Sequence, residues 1–184
     1  RDDTITVHYR RYGSLEYITG YSIGNYISYF KLDDPKKYYD LYTLDNDVSY
    51  GLDLQLGDVD GDGEKELIIA YITEKEKWVL TVIFWDIQRR SKIGKYTYEF
   101  EGEMINLNSY ITTHDIDNDG RDEVIIRNRN RVWLVDHNGR FLAYKELPEG
   151  KNGGQPCVVK LNGTTYIGVP LENKLYLLDR NLDI

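Results

Sequence analysis

Two nine-residue segments, Asp58-Val-Asp-Gly-Asp-Gly-Glu-Lys-Glu66 and Asp115-Ile-Asp-Asn-Asp-Gly-Arg-Asp-Glu123, carry carboxylates at the same four positions. Both read D-x-D-x-D-G-x-x-E, and both run directly into an apolar stretch, Leu67-Ile-Ile and Val124-Ile-Ile. Alternating carboxylates followed by a Gly and a further carboxylate wrap oxygens around a hard cation. Ca2+ takes roughly six to eight oxygens, and one short segment turned at a Gly supplies most of them. The expected ligands of the first segment are the side chains of Asp58, Asp60, Asp62 and Glu66 and the backbone carbonyl of Glu64. Those of the second are Asp115, Asp117, Asp119 and Glu123 with the carbonyl of Arg121. Gly63 and Gly120 stand where the backbone must turn, and a positive φ is expected at both. Mg2+ suits the pattern less, because it demands near-ideal octahedral geometry and keeps its water.

An EF-hand loop would need a bidentate Glu at its twelfth position. That position holds Ile69 in the first segment and Ile126 in the second, and β-branched residues follow where a helix should begin. The EF-hand is therefore excluded. Solvated acidic turns without a metal are the alternative for a single copy. Two copies of identical spacing, each feeding the same kind of apolar strand, argue for a cation at both.

No other constellation carries chemistry. His8, His114 and His137 are far apart in the chain. His114 is expected to pack or hydrogen-bond beside the second segment, and His137-Asn-Gly139 reads as a hairpin turn. Nucleophile elbow, phosphate loop and zinc spacing are all missing, so no catalytic residue is assigned. Cys157 is the single cysteine; it cannot form an internal disulfide and is expected as a small buried core residue. Ten of the 17 Tyr lie between Tyr9 and Tyr50. Their rings suit strands and the space between sheets, or platforms for sugar faces. Lys36-Lys37-Tyr38-Tyr39 is the expected exposed cluster.

With 184 residues the chain is long enough for one domain with its own core, or for one part of a larger fold. The formal charge is −8, and the eight carboxylates assigned to the cations account for much of it. No basic run is present, so nucleic acid is excluded as a partner. No apolar run is long enough for a membrane span, and the N-terminus does not read as a signal peptide. Arg1 is not an initiator Met, so a mature or excised piece of a longer chain is expected. Loops of this kind work best where Ca2+ is abundant, which points outside the cell. Asn162-Gly-Thr164 is a glycosylation sequon that also reads as a plain turn.

The elements that position the two segments are short strands, with no helical periodicity. Trp78–Trp85 is apolar at both parities and needs cover on both faces. Overlaying the acidic segments at their 57-residue offset aligns a strand before each with three after it. The strands expected around the first are Leu52–Leu56, Glu66–Ile72, Trp78–Asp86 and Lys95–Phe100. Around the second they are Tyr110–Thr113, Glu123–Arg127, Arg131–Asp136 and Phe141–Glu146. Degenerate copies flank these, giving units of roughly 1–46, 52–101, 104–147 and 155–184, the last stopping after its third strand. The expected fold is all-β: a β-propeller of about four blades of four antiparallel strands, or a segment of a larger one. A β-sandwich is the alternative, but it does not explain why the acidic turn recurs at one place in the strand order.

The segments Gly57–Ile69 and His114–Ile126 resemble the FG-GAP/VCBS class of repeats found in integrin α-chain propellers and many secreted bacterial proteins. That resemblance implies Ca2+ in the loop between the first two strands of a blade, held by the residues named above. Glu66 and Glu123 stand where Asp is usual, and the Phe-Gly…Gly-Ala-Pro signature is absent. A local similarity to rhamnogalacturonan lyase propellers rests on the same Glu and carries over no catalytic set. The function expected is an extracellular calcium-stabilised binding or adhesion module for a carbohydrate or protein ligand. The alternatives are the propeller part of a polysaccharide lyase and a structural subunit that self-associates through an open strand edge.

Overall fold

A computed structural model of the chain describes residues 4–11, 14–21, 26–31, 34–43, 49–74, 76–101, 109–148 and 153–184, with side chains for 53–73 and for the later segments. The described residues form strands and turns with no helix. The first sheet is built from β1 (Thr4–Arg11), β2 (Ser14–Tyr21), β3 (Tyr26–Lys31) and β4 (Asp34–Thr43). The second comprises β5 (Ser49–Gly57), β6 (Glu66–Glu74), β7 (Trp78–Asp86) and β8 (Ser91–Phe100). In the third are β9 (Ser109–His114), β10 (Glu123–Asn128), β11 (Arg131–Val135) and β12 (Phe141–Glu146). The last sheet has three strands, β13 (Cys157–Leu161), β14 (Thr164–Leu171) and β15 (Lys174–Leu178).

Every sheet is an open antiparallel meander whose strands follow chain order. Short turns enforce that order. Asn162 and Gly163 between β13 and β14 both have positive φ, 51° and 81°, as a two-residue hairpin requires to match strand twist. β-Branched and aromatic residues dominate the strands between such turns, where their side chains pack on a pleated surface. The expected strands are all present, several longer by one to four residues because ladder hydrogen bonds continue past the apolar stretch.

Both faces of the second and third sheets carry apolar side chains, so each must be covered twice. β7 is buried along nearly its whole length, on both faces, as its unbroken apolar run requires. One core lies between the second and third sheets. Ile68, Ala70, Ile72, Leu80, Val82 and Phe84 meet Ile111, Val124, Ile126, Trp133 and Val135 there. Alternate residues of the third sheet face the other way: Ile125, Val132 and Leu134 join Ile167, Val169, Leu171 and Leu178 of the last sheet in a second core. The period of two along β10 and β11 thus sends neighbouring residues into different cores.

The first strands of the second and third sheets, β5 and β9, run side by side and are stitched by polar groups. Ile111 N–H donates to Asp53 Oδ2 at 2.7 Å, and Thr113 Oγ1 donates to Leu56 O at 2.8 Å. On the far side of β9, Thr112 Oγ1 donates to Pro156 O at 2.6 Å and Gln155 Nε2 to Ile111 O at 2.7 Å. Arg127, 1 % exposed, spans the same joint by donating to Arg129 O and Gly154 O, with its guanidinium over the Tyr110 ring. Gly57 lets β5 approach β9 closely, since a Cβ there would stand 2.8 Å from Thr113 Cβ.

One expectation is corrected. Cys157 is exposed, not buried. It begins β13 in register with Gly168, and its Sγ lies 3.6 Å from Gly168 O on the side of the last sheet away from the second core. Apolar flanks made it look like a core residue, but the side of the sheet was decided by register. The side chains of His8, of the ten early Tyr and of the Lys36–Tyr39 cluster lie outside the described residues.

Candidate metal centre

Each acidic segment is the turn that joins the first two strands of its sheet: β5 to β6, and β9 to β10. Nine residues cannot cross that gap as a tight hairpin, so the chain coils, and backbone N–H groups turn inward onto the carboxylates. Asp58 accepts Gly61 N–H on Oδ1 at 2.8 Å and Gly63 N–H on Oδ2 at 2.9 Å. Asp60 Oδ1 accepts Asp62 N–H, Asp62 Oδ1 accepts Glu64 N–H, and Glu66 Oε2 accepts Val59 N–H. In the second turn Asp115 accepts Asp119 and Gly120 N–H, Asp117 accepts Asp119 N–H, Asp119 accepts Arg121 N–H and Glu123 accepts Ile116 N–H. The equivalent bonds agree closely; those to Glu66 and Glu123 are both 2.9 Å.

The backbone repeats as well. Gly63 and Gly120 both have φ of 89°, the sharp turn expected from their place in the motif. Gly61 has φ of 77°, and its counterpart Asn118 has φ of 63°, a conformation Asn tolerates better than most residues.

The geometry brings together most, but not all, of the expected ligand side chains as one group. Ligand atoms of Asp58, Asp60 and Asp62 lie within 4.8 Å of one another, as do those of Asp115, Asp117 and Glu123. Glu66 lies outside the first group, and Asp119 groups instead with Glu123 and His137. Glu64 and Arg121 sit at matching places, their N–H groups bonded to Asp62 and Asp119.

His137, from the turn between β11 and β12, was read from sequence as a turn residue only. Its Nε2 lies 3.0 Å from Arg121 Nη1 and 2.7 Å from Asn138 Nδ2. A guanidinium only donates, so Nε2 accepts and the proton of the neutral ring sits on Nδ1. Nδ1 faces Asp119 Oδ2 at 3.7 Å. That distance is beyond a hydrogen bond, and the buried Nδ1 has no hydrogen-bond partner among the described residues. Only the tertiary fold sets this turn beside the loop; no local signal marks it. His114 ends β9 in register with Glu123, and its Nε2 is buried with no hydrogen-bond partner among the described residues. It is no part of either carboxylate group.

The electrostatics single out the last carboxylate of each loop. Glu66 and Glu123 are 4 % and 3 % exposed while the Asp residues at positions three and five are exposed. Burial, with repulsion from Asp60, Asp62 and Asp58, pushes the Glu66 carboxyl up to about 7. Burial, with Asp117 and Asp119, does the same to Glu123, also about 7. Loss of solvent around the half-buried Asp53, beside Ile111, pushes its carboxyl up to about 6.

These raised values fix a sign. Between the unfolded values near 4 and the folded values of 6 to 7, the ion-free folded state holds protons that the unfolded chain has lost. Ion-free stability therefore falls as pH rises through that window. A cation needs the ionised carboxylates, so binding expels those protons. Any proton still held by Glu66 or Glu123 should therefore leave if a cation binds its loop. Affinity for Ca2+ should accordingly rise from pH 6 to pH 8. Calorimetric titration in buffers of different ionisation enthalpy reads the release directly; none between pH 6 and 7 would contradict the raised values of Glu66 and Glu123.

A scan against protein-family models matches none, and a search of curated proteins finds no match.

Proposed function

We propose that the chain is a calcium-stabilised β-propeller, or a segment of one, serving as an extracellular binding or adhesion module for a carbohydrate or protein ligand. The observation that carries the reading is the repetition of one loop geometry. Two turns, at the same place in the strand order of two neighbouring sheets, gather carboxylates with the same backbone bonds.

The donor set fits Ca2+. It consists of carboxylate oxygens alone, hard ligands from which a large flexible shell can be completed by carbonyl and water. Asp58, Asp60, Asp62 and Glu66 would hold the first ion, with the Glu64 carbonyl. Asp115, Asp117, Asp119 and Glu123 would hold the second, with the Arg121 carbonyl. The cation neutralises a crowded set of like charges and ties two strands of one sheet together. Stacked antiparallel meanders of three or four strands, with the first strands β5 and β9 side by side, support the propeller.

Asp60→Ala and Asp117→Ala should each abolish one equivalent of Ca2+ in titration while leaving the β-sheet circular-dichroism spectrum unchanged. If neither variant loses an equivalent, the loops are plain acidic turns. For the ligand, a glycan array probed with and without Ca2+ is the direct test, and the expected result is calcium-dependent retention of a polysaccharide class. Pectic polysaccharide incubated with the chain and Ca2+ should show no new ultraviolet absorbance; its appearance would replace the binding module with a lyase. A further reading, self-association, is favoured by the last sheet, in which β15 is an edge strand among the described residues. A dimer mass in solution would support it.

A further inference from the structure

The two loops touch. Asp122 N–H donates to Asp58 O at 2.7 Å, and Asp58 N–H donates back to Asp122 Oδ2 at 3.0 Å. A Cβ on Gly61 would lie 3.0 Å from Arg121 Cγ and 3.3 Å from Gly120 O. Asp58 is the first ligand position of the first loop, and both its carboxylate oxygens already organise that loop through Gly61 and Gly63. Asp122 stands between Arg121 and Glu123, the last two ligand positions of the second loop. It occupies the eighth position of the motif, which supplies no ligand, so its side chain is free to bond elsewhere. The equivalent residue of the first loop is Lys65, which is exposed and has no acceptor. The contact is therefore built once, from the second loop back to the first.

We infer that Asp122 is a positioning residue that couples the two cation loops, so that filling one prepares the other. The inference rests on the cation-binding reading above. A cation in the second loop fixes Arg121 and Glu123, and with them the Asp122 backbone and carboxylate. Those two groups hold both sides of the Asp58 backbone, so the first loop loses less freedom when its own ion arrives. Ordering shared in this way appears as positive cooperativity without a large change of shape. Linkage makes the effect reciprocal.

The test is calorimetric Ca2+ titration of the whole chain after chelation, on the unaltered protein and on Asp122→Ala, Asp122→Asn, Asp60→Ala and Asp117→Ala. Two ions should bind the unaltered chain with positive cooperativity. Asp117→Ala should weaken the first loop about fivefold or more, and Asp60→Ala should weaken the second by the same factor. Asp122→Ala removes the carboxylate bond but keeps the backbone bond to Asp58 O, so it should weaken the coupling, whereas Asp122→Asn, which keeps an acceptor oxygen, should restore most of it. If Asp122→Ala does not fold, the Asp60 and Asp117 variants decide the matter between them. Two ions bound independently by the unaltered chain would overturn the coupling and leave the cation reading standing. No uptake of Ca2+ at all would overturn both.

Discussion

Adding Ca2+ to the chelated chain should raise its melting temperature by roughly 10–20 °C. The magnitude follows from linkage. An ion present at 100 times its dissociation constant stabilises the state that binds it by about 2.7 kcal/mol, so two sites supply about 5 kcal/mol. In a domain of this size each kcal/mol moves the midpoint by about 2–4 °C. The physical source is visible in the loops. Asp58, Asp60 and Asp62 crowd ligand atoms within 4.8 Å, and backbone N–H groups offset part of their repulsion. Unfolding disperses those charges, so a cation favours the folded form. Differential scanning fluorimetry in EDTA, with Ca2+ or Mg2+ restored in excess, measures the shift. Equal effects of the two ions would argue against a calcium site, and no shift with either would argue against any cation.

Replacing Trp133 by Ala should cost about 3–5 kcal/mol, a large share of the stability of an ordinary domain. Trp133 is fully buried in the core between the second and third sheets. Its ring meets Phe100 edge-on at 5.3 Å and Tyr144 at 5.4 Å, so truncation opens a void bounded by two rings from different strands. Each ring pair contributes about 0.5–1.5 kcal/mol beyond simple burial. The indole Nε1 finds no hydrogen-bond partner among the described residues. Trp133→Phe should consequently cost far less than Trp133→Ala, because it keeps the ring and removes an unsatisfied donor. Urea unfolding reads both variants, with the midpoint falling and the slope unchanged. The loss should persist in EDTA and in Ca2+ alike, since Trp133 lies on β11, outside both acidic loops. A cost for Trp133→Ala within about 1 kcal/mol would mean that the two sheets do not depend on this contact.

Much of the architecture was legible because strand patterning is local. Trp78–Asp86 reads as a strand buried on both faces from its own composition, and it is one. The alternation Val124-Ile125-Ile126 implies two faces, though only the folded chain shows that they belong to two different cores. Cys157 was misjudged for the same reason in reverse. Flanking apolar residues say that a strand is present, while register says which side is covered.

The acidic loops divide along the same line. The spacing D-x-D-x-D-G-x-x-E was enough to define the candidate ligands, the sharp turns at Gly63 and Gly120, and the equivalence of the two segments at their 57-residue offset. A loop that folds on its own backbone writes its geometry in consecutive residues. What surrounds the loops could not be read there. The approach of His137 to Asp119 and the reciprocal bonds of Asp58 and Asp122 involve partners from another turn. Those partners are brought near only when apolar faces of neighbouring sheets pack together. The sequence by itself determined the spacing of the acidic loops, and the tertiary structure decided that they touch, because partners from separate turns meet only in the folded chain.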